Sequence, residues 1–81
     1  MNASTRKRID FTKLLQQKKF SAIIRYSISF HIAKLECNKG DEILDELSLL
    51  INQGTTQKEI VEIMETKYDM PLIPPIVRNS N

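Results

Sequence analysis

The chain has 81 residues, of which 41 % are hydrophobic and 27 % charged. That composition admits one small folded domain and excludes a disordered chain. A domain this short is marginally stable, so a homodimer is a natural way to bury more apolar surface. The formal net charge of +2 hides a split: residues 1–39 carry nine Lys/Arg against two acids, a balance of +7, and residues 40–81 carry three against eight, a balance of −5. Two surfaces with different partners are therefore expected.

Residues 1–8, with Arg6, Lys7 and Arg8, read as a flexible basic arm ahead of the single domain 1–81. No apolar run follows these charges, so a secretion signal is not expected. In residues 9–18, Phe11, Leu14 and Leu15 suit a short helix, while Arg8 to Thr12 also alternate as a short strand would. The stretch 20–37 satisfies both periods. Ile24, Tyr26, Ile28, Phe30 and Ile32 alternate with Arg25, Ser27, Ser29 and His31, a strand pattern. Phe20, Ile23, Ile24, Ile28, Ile32 and Leu35 also form one broad helical face, with Ser21, Arg25, Ser29 and Glu36 opposite. No turn residue precedes this stretch and no second strand of similar length exists, which favours the helix. Arg25, His31 and Lys34 interrupt it, so it is not a membrane span.

Residues 41–52 carry Ile43, Leu44, Leu47, Leu50 and Ile51 on one helical stripe. Asp41, Glu42, Asp45 and Glu46 lie on or beside the opposite face, in the first turns of this expected helix, where the dipole favours acids. Gly40 and Gly54 bracket the segment, and Gly54 suits a helix stop. Thr56-Gln57-Lys58-Glu59 then reads as a capping box. Ile60, Val61, Met64 and Tyr68 recur at helical spacing behind it, with Ile63 flanking, and Lys67 suits the end of that helix. Pro71 closes it, leaving 71–81 as an irregular tail in which Leu72, Ile73, Ile76 and Val77 pack back on the core.

Nothing in this pattern assembles catalytic machinery. Asp41/Asp45 and Glu42/Glu46 are paired at helical spacing, but a solvated helix face explains them and no nucleophile or base lies nearby in the pattern. Cys37 is the only cysteine and His31 the only histidine. This excludes an intrachain disulfide, leaves zinc without ligands and fits a reducing, cytoplasmic setting. On a helix the two would stand about 240° apart, which does not make a nucleophile pair. Glycine-rich phosphate loops are missing. A non-enzymatic protein without a cofactor is expected. The basic residues Arg6, Lys7, Arg8, Lys13, Lys18, Lys19 and Arg25 are the candidates for DNA phosphate contacts, each releasing counterions on binding. The acids Asp41, Asp45, Glu46, Glu62 and Glu65 are the candidates for a protein partner.

Residues 49–64, with Gly54-Thr55-Thr56 and Glu59-Ile60, resemble the first two helices of helix-turn-helix domains. That resemblance implies a recognition helix next, for which Pro74-Pro75-Ile76-Val77-Arg78 is the segment available. The same hairpin resembles the C-terminal part of ParR-type plasmid-partition adaptors. This resemblance implies a DNA-reading ribbon at Arg6-Lys7-Arg8-Ile9-Asp10-Phe11, followed by a helix over 21–35. Gly54-Thr55-Thr56, Glu59-Ile60-Val61 and Tyr68-Asp69-Met70-Pro71 also resemble peptide-binding domains of the PqqD type, which implies a sheet before the helices.

The fold expected is an all-α bundle of three to four helices with a C-terminal helical hairpin. The alternative is α+β with one strand at 24–32, ribbon-helix-helix or winged-helix-like. The function expected is a DNA-binding accessory or regulatory protein of a plasmid or phage. Its basic half would hold phosphates, and its acidic hairpin would hold a second copy or a partner. A protein- or peptide-binding adaptor, or a phage-type inhibitor acting through the acidic face, is the alternative; no membrane is involved.

Overall fold

The computed structural model describes residues 2–73. It is a small all-α bundle of four helices: α1 (Ala3–Gln17), α2 (Ala22–Ala33), α3 (Cys37–Asn52) and α4 (Gln57–Lys67). Among the described residues there is no strand. Residues 24–32 thus fall within α2, and the α+β alternative is set aside. A lone alternating segment has no ladder partner for its backbone groups, whereas a helix satisfies them within itself. Arg6 to Phe11, the segment placed in a ribbon by one resemblance, form turns of α1. Residues 74–78, proposed above for a recognition helix, lie outside the described residues, as do Ile76 and Val77.

The basic N-terminus is helix rather than arm from residue 3 onward. The Asn2 side chain caps it, accepting the Thr5 N–H at 2.8 Å. Phe11 and Leu15, one turn apart, are the buried face of α1. Its C-terminal turn is a Schellman motif: Phe20 N–H donates to the Leu15 carbonyl and Lys19 N–H to that of Gln16, both at 3.0 Å. The reversal requires a left-handed residue, and Lys19 supplies it at φ 59°. Phe20 and Leu15 are both buried at this corner.

The same motif ends α3. Thr55 N–H donates to the Leu50 carbonyl and Gly54 N–H to that of Ile51, with Gly54 at φ 100°. Thr56 then starts α4 with a complete capping box, its hydroxyl accepting the Glu59 N–H while Glu59 accepts the Thr56 N–H at 3.0 Å. The hairpin is as the sequence predicts.

The start of α3 is not. The helix begins at Cys37, one turn before the expected Asp41, so its first turn carries no acid and Gly40 lies inside it. Gly40 is a close-approach glycine rather than a break. A Cβ there would sit 3.2 Å from an Arg8 guanidinium nitrogen and 3.3 Å from an Ile32 methyl.

The core forms where α1, α2 and α4 close on α3. Leu47, Ile60 and Met64 are wholly buried, and Ile24, Ile28, Ile32, Ile43, Leu44 and Ile51 nearly so. Residues 71–73 have no regular structure but lie along α2. The His31 Nε2 bonds the Pro71 carbonyl at 2.7 Å, and the Ile73 N–H donates to the Ser27 hydroxyl at 3.0 Å. Ser27 is buried and also donates to the Ile23 carbonyl, so both its hydrogen-bonding roles are filled. No helix of the described residues is long and apolar enough to cross a membrane.

Candidate functional site

The seven cations singled out in the sequence do not form one surface. Arg6 and Lys13 are exposed on α1. Seven residues is nearly two turns, so they stand about 20° apart on one face of that helix. Lys18 and Lys19 are exposed at its C-terminal turn. Lys7 leans the other way and pairs with Asp45 of α3 at 2.7 Å. That hydrogen bond, helped by the charges of Asp45 and Asp41, raises its ammonium above the ordinary lysine value. Arg8 is half-buried beside Gly40. Arg25 is half-buried on α2, its Nε covered and without a hydrogen-bond partner among the described residues.

Three of the five candidate partner-binding acids are likewise engaged within the chain. Asp41 accepts the Ser4 hydroxyl at 3.0 Å, Asp45 holds Lys7, and Glu46 is paired with Lys67 of α4. The Lys67 hydrogen bond, and then that of the Tyr68 hydroxyl, hold Glu46 below the ordinary carboxylate value. Burial, and then the neighbouring Glu46, push the Tyr68 phenol up. Glu62 and Glu65 remain exposed on α4. The charge split therefore serves partly as a seam: the N-terminal turns of α1 lie on the acidic flank of α3, and opposite charges meet there.

One surface has no counterpart among the residues singled out from the sequence. Tyr26 stands exposed on α2 and Phe30, one turn on, is half-buried; their ring centroids are 6.1 Å apart, tilted by 32°. The Lys34 ammonium lies over the Phe30 ring at 4.1 Å from its centroid. The spacing i, i+4, i+8 was present in the sequence, but the strand reading of 24–32 placed Tyr26 and Phe30 on one apolar face with Ile24, Ile28 and Ile32. In α2 those three isoleucines are buried and Tyr26 is exposed.

An open groove lies between α1 and α3. It is lined by cations (Lys7, Lys13), acids (Asp10, Asp45) and the apolar Phe11, Leu14 and Leu44. Its charges are of both signs and it holds no nucleophile–base pair. Among the described residues no three His, Cys, Asp or Glu side chains converge to hold a metal ion. His31 is taken up by Pro71, and Cys37 is exposed in the first turn of α3. No protein-family model, curated protein or solved structure matches this chain.

Proposed function

We propose that this protein is a non-enzymatic, cytoplasmic DNA-binding accessory or regulatory protein, of the kind carried by plasmids and phages. One observation carries the reading. Once Lys7 is engaged by Asp45, Arg6, Lys13, Lys18 and Lys19 remain exposed along α1 and its C-terminal turn, and no acid pairs with them among the described residues. Exposed cations on a rigid helix neutralise phosphates without reordering the chain. Arg8 and Arg25, half-buried, are secondary contacts in this reading. The exposed acids Glu62 and Glu65 on α4 would repel phosphate, and they are where a second copy or a protein partner would dock.

The test is duplex binding followed by fluorescence anisotropy across a salt series. Four phosphate contacts give a slope of roughly −3.6 in log K against log salt, or about a hundredfold loss between about 50 and 200 mM salt. Replacing Arg6 and Lys13 by Gln together should flatten that slope by about 1.8. Failure to bind mixed duplex DNA at about 50 mM salt, where phosphate contacts are strong, rejects the reading. The alternative, an adaptor or inhibitor acting through acids alone, draws on the same exposed Glu62 and Glu65. It predicts that Glu62→Lys with Glu65→Lys abolishes capture of a basic protein partner while the circular dichroism spectrum is unchanged.

A further inference from the structure

Building on the DNA-binding reading, we propose that the outer face of α2 is a stacking platform for unpaired nucleobases. Tyr26 is the ring on which a base would rest, so single-stranded DNA is preferred over duplex. Three features of this face converge. Tyr26 keeps 53 % of its surface exposed, and among the described residues it is the one aromatic of the exposed large hydrophobic side chains. Its ring is braced rather than free, because Phe30 packs beside it one turn along the helix. And the face is cationic: α2 contains no Asp or Glu, Lys34 caps the Phe30 ring at one margin, and Arg25 lies on the same helix. At the other margin, Arg8 and Thr12 of α1 share a shallow groove with Ser29, which sits one turn from Tyr26.

A flat ring on a helix that carries no acid, with cations at its margins, matches a base with its phosphate on either side. A paired base presents no open face to such a ring, so the occupant must be unpaired. A second copy of this chain fits less well. Docked face to face it would bring the Arg25 and Lys34 of both copies together, with no acid on either α2 to offset them.

The experiment uses the full chain with two probes of equal length, an oligothymidine of about 20 nucleotides and a mixed duplex. The variants are Tyr26→Ala, Tyr26→Leu and Tyr26→Phe. Stacking predicts that oligothymidine binds more tightly than duplex. It also predicts that Ala and Leu each weaken the single-stranded complex by at least about fivefold, while Phe preserves it. Duplex affinity should stay the same in all three. The chain has no Trp and two Tyr, so a Tyr68→Phe variant leaves Tyr26 as the sole tyrosine, whose emission is read by exciting above the phenylalanine band. Its emission should be quenched by oligothymidine and not by duplex. If duplex binds but Tyr26 is neither quenched nor needed, the stacking proposal falls and the DNA-binding reading stands. If neither probe binds, both fall. A dimer that Tyr26→Ala splits, with DNA affinity unchanged, also overturns the proposal and assigns this face to self-association.

Discussion

Lys19 holds its backbone at φ 59°, where its Cβ crowds the following carbonyl at a cost of roughly 1–2 kcal/mol. Gly54 occupies the equivalent place at the end of α3, without a Cβ and at φ 100°. The two turns make the same pair of hydrogen bonds, so the conformation is set by the motif and not by the residue. Lys19→Gly should therefore stabilise the fold, by about 0.5–1 kcal/mol after allowing for the greater freedom of glycine in the unfolded chain. A rise in the urea midpoint at unchanged slope checks it. The same substitution should flatten the DNA salt dependence by about 0.9 if this lysine holds a phosphate. A more stable protein that binds less tightly would mean that the side chain is kept at this strained position for its charge. Asp69, at φ 54°, makes a comparable reversal after α4, where the Met70 N–H returns to the Met64 carbonyl at 2.8 Å.

The helix whose start is most strongly specified is α4. Thr56 and Glu59 satisfy each other's backbone N–H groups, and the backbone and then the hydroxyl of Thr56 hold the Glu59 carboxyl below its ordinary value of 4.5. Thr56→Ala should cost about 1 kcal/mol, read from the urea midpoint. Glu46 is lowered as well, by Lys67. A carboxyl lowered by folding contributes stability that is fully present above its unfolded value and is lost as pH falls through the folded one. Acidification below about 4.5 should thus weaken the α3–α4 hairpin, and Glu59→Gln should shallow the acid limb of stability against pH. This hairpin was legible in the sequence because its signals are local: Gly54 for the turn, Thr56 and Glu59 for the cap. The end of α1 was not, because a lysine stands where glycine would have announced it. The start of α3 was hidden for the opposite reason. Gly40 reads as punctuation, yet its place is set by Arg8 and Ile32 closing on it from other helices. For α2 both apolar periods were present, and the lack of a partner strand pointed to the right one. The candidate site was legible in residue type only. That Lys7 belongs to Asp45, 38 positions away, and that Tyr26 and Phe30 share an open face, are consequences of packing.

Across the whole molecule, the division between a basic and an acidic half takes on two duties. Part of it aligns α1 with α3 through Lys7 and Asp45, and part is left outward for a ligand. The inward part is a weak source of stability. The Lys7 and Asp45 side chains are 40 % and 61 % exposed, and those of Lys67 and Glu46 56 % and 36 %, so water and salt screen both pairs. What holds the bundle is the apolar contact of Leu47, Ile60 and Met64 with their neighbours, which salt does not screen. Fold and binding should therefore separate under ionic strength. At about 1 M salt the Debye length falls to about 3 Å, and phosphate attraction is lost while the core is untouched. The urea midpoint should be nearly the same at about 0.05 and 1 M NaCl, and DNA binding should vanish between them. Single substitutions sharpen the contrast. Lys13→Gln removes an outward charge and should reduce the salt slope by about 0.9. Lys7→Gln removes a charge already committed to Asp45 and should leave that slope nearly unchanged. Equal effects from the two would mean that Lys7 leaves Asp45 for the phosphate when DNA is bound. The seam between α1 and α3 would then be part of the binding surface.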